Sequence, residues 1–418
     1  MSKLRALWLM SLLVAMAALS SPRAHAGWAA AWQAPQSDAF ASVSVDRATL
    51  RQVLTSHAPG STLRVRFSNQ FCKSPVKIGA ASIGHAKGGA EVAGTPTSLT
   101  FNGKASIELA AGQVQYSDPA SLTVETMQRL TVSVYVDGAV SALSRHFTGN
   151  EFVWRGKGNL THEPLSAKFD PINNTLLASH VLVDRIEIDE ATRPTAQAVR
   201  VVAMFGDSIT DGFMGVAGLP LPSTAPIGQD TRYPDFLQRR AQQKRLPLAF
   251  VSAAISGNRL LAGPALPMFG PPGNSRVQRD VLSLPGVTDA IVLIGINDLG
   301  FSMSPAKTGQ ELIQGLATVV QQLKGAGLRV MLGTLTPALG TTYGAAHGRA
   351  VIDEERNKVN AWIRSSGYAD AVVDFDACLR DPANPSRLLP AYDSGDHLHP
   401  SAAGYNAMAE CVDLTSLR

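Results

Sequence analysis

Charge is scarce in this chain and nearly balanced. Of its 418 residues 17% are charged, with a formal excess of only +4, so the concentrated positive field of a nucleic-acid binder is missing. Long apolar runs are missing too: beyond the first twenty residues no stretch approaches the roughly 20 apolar residues that a membrane-crossing helix needs. Cysteine is rare, at Cys72, Cys378 and Cys411 only, so at most one pair can bridge. Glycine and proline supply many turns without reaching a low-complexity composition. What is there is a chain 45% apolar, long enough to favour two domains over one.

The first residues read as a segment removed on export. Lys3 and Arg5 precede an apolar run of about fourteen residues, and "SSPRAHA" then offers small residues at Ala24 and Ala26, the pattern of a signal cleaved before Gly27. The run is short for a membrane anchor. Without residues 1–26 the chain loses Lys3, Arg5, Arg23 and no acid, so the net charge falls from +4 to +1. A secreted or periplasmic location is therefore expected, in a compartment where thiols oxidise. A bridge from Cys378 to Cys411 would close a loop of about 33 residues and leave Cys72 over; three buried thiols are the alternative.

From 27 to 195 the dominant period is two. "TLRVRFS" alternates Leu63, Val65 and Phe67 with Arg64 and Arg66, and "RLTVSVYV" sets Leu130, Val132, Val134 and Val136 on one side. Short runs of this kind, punctuated by Gly, Pro, Asn and Asp, predict an antiparallel β-sandwich or jelly-roll module. Trp28, Trp32 and Trp154 in this half either form a sugar-stacking surface or belong to the core, where most aromatics of β modules lie.

The texture changes over 196–418. Continuous apolar strands at 199–205, 248–255, 290–296, 328–335 and 371–375 alternate with helical stretches, one of which places Leu312, Leu316, Val319, Val320 and Leu323 on a single face. Strands buried on both sides and linked by helices predict a parallel sheet in a layered α/β domain. Ligands gather beyond the carboxyl ends of such strands, and every polar cluster of interest falls at that end.

Ser208 follows the first strand in "FGDSITDG". Its hydroxyl becomes a nucleophile only beside a base that a third group orients; His399 supplies the base and Asp396, three residues earlier in "DHLHP", the orienting carboxylate. Attack on an ester carbonyl puts negative charge on oxygen. The backbone N–H groups of Ser208 and Gly257 and the side-chain amide of Asn297 are the expected donors to it, and glycine suits the second position because it lets the backbone approach closely. His397 and His399 with Asp396 also contain zinc-type ligands, but no third ligand cluster accompanies them, and Asn and Gly donors suit an oxyanion better than a cation.

Alone, each block is common. Together, "FGDSITDG", "ISGNR", "GIND" and "DHLHP" resemble, in order, the four blocks of the SGNH or GDSL hydrolases, with Ile209 where that name has leucine. The resemblance covers about 200–414. It implies a flavodoxin-like three-layer α/β/α domain with a five-stranded parallel sheet, ester hydrolysis through an acyl-enzyme on Ser208, and neither metal nor cofactor. The β-rich half looks like the accessory region of secreted bacterial members.

The family leaves the substrate open, since carbohydrate acetyl esterases, lipases, phospholipases and thioesterases all belong to it. Export, the β-rich companion and the lack of a long apolar lid favour short acyl groups on a carbohydrate, with "GPALPMFGPPGNSR" as one wall of the acyl pocket. An acylated polysaccharide is then the expected partner, with no nucleic acid and no stable membrane span. Asp207 and Asp211 flank the nucleophile and either shape its turn or satisfy backbone N–H groups, while Asn258 and Arg259 either line the pocket or pair with acids. A polysaccharide-binding protein without chemistry is the rival from another class.

Overall fold

The computed structural model describes residues 27–38, 44–172, 179–195, 197–217, 219–301, 307–341 and 346–417. The expected signal segment 1–26 lies outside the described residues.

Among the described residues the β-rich half builds two large antiparallel sheets and a short pair, Arg145–His146 with His180–Val181. One runs in the order Trp28–Gln33, Val183–Asp189, Gly60–Ser68, Val114–Tyr116, and Ala120–Val124 also pairs with Gly60–Ser68. The other is built around the long strands Val45–Ser56, Gln128–Val140 and Val76–Gly88. Alternation sends Leu63, Val65 and Phe67 from the first sheet and Leu130, Val132, Val134 and Val136 from the second into one shared core. Trp32 is buried there, edge-on to His180, which is the core alternative for that residue.

The opposite face of the first sheet is polar but not free in water. Arg64 pairs with Glu187, Arg66 with Asp184, and buried Arg185 donates to Gln33 Oε1 at 2.7 Å and to Ser283 O at 2.9 Å. Ser283 belongs to the α/β half, so this face is an interface.

The α/β half holds five parallel strands, Arg200–Gly206, Leu248–Ala254, Val287–Leu293, Arg329–Gly333 and Ala371–Val373. In sequence order they stand second, first, third, fourth, fifth across the sheet. The chain reverses direction across the sheet at Arg200–Gly206, the switch point where such folds open a crevice. Helix Gly309–Gly325 begins with a capping box between Thr308 and Glu311 and buries all five residues of the expected apolar face. Cys378 and Cys411 are joined in a disulfide, while Cys72 is buried and unbridged. No helix among the described residues is long and apolar enough to cross a membrane.

Candidate active site

The strand Arg200–Gly206 ends on a glycine where no side chain fits: a Cβ there would sit 2.8 Å from Leu293 O and closer still to Thr210. Asp207 caps the following turn by accepting the Ile209 N–H at 3.1 Å, and Ser208 opens the short helix Ser208–Asp211. First-turn N–H groups have no partner within a helix, so the Ser208 backbone is available to an oxyanion.

His399 arrives from the far end of the sequence. Its Nε2 lies 2.9 Å from Ser208 Oγ, and its Nδ1 lies 2.6 Å from Asp396 Oδ2. The second carboxylate oxygen of Asp396 accepts the backbone N–H groups of Leu398 and His399 at 3.0 and 2.8 Å. Burial alone would raise the carboxyl's pKa, but the facing imidazole and these donors outweigh it and hold the group down at about 2. Asp396 therefore stays ionised and fixes a proton on Nδ1, leaving Nε2 to accept from the serine. His397, by contrast, turns outward to Asp393 at 2.5 Å, so the two histidines of "DHLHP" do not share a partner.

Gly257 and Asn297 follow the neighbouring strands and border the same cleft as Ser208. Gly257 has φ +75°, and a Cβ on it would stand 2.2 Å from the Phe269 ring, so both conformation and space call for glycine. The Asn297 amide donates one N–H to Asn258 O at 3.0 Å, while its oxygen faces His347 Nε2 at 3.1 Å. That leaves the amide's second N–H for a ligand.

His347 is a site residue that sequence reasoning missed. It is a lone histidine in "GAAHGRA" with no motif around it; the fold alone brings it to Asn297. Burial, then the charge of nearby His399, lowers its pKa to about 4, so it is neutral and its Nε2–H fixes which way the amide points.

Asp207 and Asp211 take structural roles. Asp207 is the cap already described. Asp211 accepts both the backbone N–H and the hydroxyl of Ser256, at 2.9 and 2.8 Å. Asn258 ties down the following loop through Phe269 O and Pro271 O, at 2.6 and 2.8 Å, and does not border the cleft; Arg259 donates to Gly263 O in the same loop.

The cleft is walled by Phe147, Phe213, Phe269 and Phe301. Phe269 comes from the Pro- and Gly-rich loop and stacks on Phe301 at 5.5 Å. The Phe213 ring packs 4.5 Å from that of His399, and its carbonyl is held by the Tyr405 hydroxyl at 2.5 Å. A hydroxyl, a base with a fixed proton, convergent N–H donors and an apolar pocket form the set that acyl transfer requires.

Residues 204–407 match the model of the GDSL-like lipase/acylhydrolase family. Among solved structures, a GDSL-like lipase from Bacteroides thetaiotaomicron is 20% identical, with 53% of this chain and 90% of that one covered at a TM-score of 0.38. A carbohydrate esterase family 2 enzyme with its carbohydrate-binding domain, from Corynascus thermopiles (Myceliophthora fergusii), is 18% identical over 90% of this chain and 95% of its own, at a TM-score of 0.39. No curated protein matches the sequence. The segment 204–407, which carries Ser208, Gly257, Asn297, Asp396 and His399, belongs to the GDSL-like lipase/acylhydrolase family.

Proposed function

We propose that the protein is an exported serine esterase that removes short acyl groups, acetyl foremost, from a carbohydrate. The observation that carries the reading is the unbroken relay from Ser208 Oγ through His399, 2.9 Å away, to Asp396, 2.6 Å beyond. As Ser208 attacks the ester carbonyl, His399 Nε2 takes its proton, and the backbone N–H groups of Ser208 and Gly257 with the Asn297 amide hold the oxyanion. His399 then protonates the departing alcohol. Water, deprotonated by the same nitrogen, attacks the acyl-enzyme and frees the acid.

A small cleft lined by the rings of Phe147, Phe213, Phe269 and Phe301 favours a short acyl group. The Cys378–Cys411 disulfide favours an oxidising compartment, in line with the signal-like segment 1–26. The choice of a carbohydrate rests on export and on the β-rich companion region.

Ser208→Ala is expected to lower kcat on p-nitrophenyl acetate by at least about 10³-fold while leaving the thermal midpoint unchanged. A fully active Ser208→Ala protein would end the proposal. Rates that climb steadily from acetyl to dodecanoyl esters would make lipase or phospholipase the better description.

A further inference from the structure

One wall of the cleft does not belong to the family domain. Phe147 lies in the β-rich half, directly after the strand Arg145–His146, yet it borders the same cleft as Ser208, Gly257 and Asn297. Its ring stands edge-on to Phe269 with centroids 6.3 Å apart, and Phe269 stacks on Phe301 at 5.5 Å. The three rings make one apolar wall beside the oxyanion donors. Such an apolar wall suits the acyl chain of an ester attached at Ser208.

The neighbours of Phe147 are fixed to the nucleophile's own helix. His146 Nδ1 faces Pro35 O at 2.8 Å, and its Nε2 faces Thr148 O and Asp211 Oδ1, each at 3.0 Å. All three are acceptors, so both nitrogens carry protons and the ring is an imidazolium paired with buried Asp211. Burial opposes that charge, and Asp211 outweighs it, raising the pKa. The other oxygen of Asp211 holds Ser256, the residue before Gly257. On the far side, Asn150 Nδ2 donates to Asp211 O at 3.3 Å and Gly212 O at 3.1 Å. With His146 before it and Asn150 after it, Phe147 is held in register with Ser208.

We propose that Phe147 is a specificity-determining residue that limits acyl-chain length, so the β-rich region is a component of the acyl pocket as well as a companion module. This rests on the esterase reading above. One methylene more or less in an apolar pocket changes kcat/KM by about 10- to 200-fold, and the Phe147 ring fills the space that added methylenes need.

The test measures kcat/KM for p-nitrophenyl acetate and hexanoate with wild type, Ser208→Ala, Phe147→Ala and Phe147→Trp. Phe147→Ala is expected to raise the hexanoate-to-acetate ratio by about 10-fold or more, and Phe147→Trp to lower it. A Phe147→Ala ratio within about twofold of wild type, in an enzyme whose activity disappears with Ser208→Ala, overturns this inference and leaves the esterase standing. Hydrolysis that Ser208→Ala leaves intact overturns both.

Discussion

Asp207 and Asp396 are both buried carboxylates at the same site, yet their surroundings push them in opposite directions. Burial dominates at Asp207 and raises it to about 7 despite one backbone donor and the charge of His399; at Asp396 the imidazole and the backbone donors win and hold it at about 2. The stability consequences have opposite signs. Between about pH 4 and 7 the folded protein holds a proton on Asp207 that the unfolded chain has released, so this group's contribution is full below the unfolded value and is lost as pH rises through 7. Asp396 contributes above the unfolded value and loses its contribution as pH falls towards 2.

Asp207→Asn keeps an oxygen for the Ile209 N–H and removes the titration. Its thermal midpoint relative to wild type is expected to rise steadily from pH 4 to pH 7, followed by circular dichroism. A constant difference across that window would show that Asp207 is not held protonated. At this scale the sequence showed the residues that bear a motif and not their supports: Ser208, Gly257, Asn297, Asp396 and His399 sit in recognisable blocks, whereas His347 and His146 carry no local pattern and reach the site through Asn297 and Asp211, about 50 and 65 positions away.

Among the elements, the last two helices carry the clearest stability consequence. The disulfide ties helix Phe375–Leu379 to helix Ala402–Cys411, and the intervening chain presents Asp396 and His399. Closing a loop of 33 residues is worth about 3 to 4 kcal/mol in the chain-entropy model. Dithiothreitol is expected to lower the thermal midpoint by several degrees, and the Cys378→Ser variant to show the lower midpoint without reductant. Equal midpoints in all three samples would mean that the bridge adds nothing.

The parallel strands and the buried face of Gly309–Gly325 were legible because continuous apolar runs and a 3.6-residue period are local signals. The pairing of Trp28–Gln33 with Val183–Asp189 was not. It joins segments about 150 residues apart, and nothing in either run names its partner. Period-two alternation also marked Arg64 and Arg66 as facing away from the core, which they do, but it could not tell water from the second half of the chain.

Across the whole molecule, that covered face explains how the two halves act together. The strand Leu248–Ala254 is the edge of the parallel sheet, and exposed edges invite unwanted pairing. Here its carbonyls are occupied: Leu248 O accepts from Gln238 at 2.9 Å, Phe250 O faces His57 Nδ1 at 2.5 Å, and Ser252 O accepts from Gln33 at 2.8 Å. Gln33 and His57 come from the β-rich half, the same half that brings Phe147 to the cleft and His146 to Asp211. Buried polar contacts from the β-rich half thus cover the sheet edge, and the same half sets Phe147 in the cleft wall.

All of these features converge on the reactivity of a single hydroxyl, which a fluorophosphonate probe reads directly. Incubated with the purified protein and mapped by peptide mass spectrometry, the probe is expected to modify Ser208 stoichiometrically, and His399→Ala to abolish the labelling. Labelling of a different residue, or none at Ser208 in the folded wild-type protein, would contradict the assignment of this cleft as a serine esterase site.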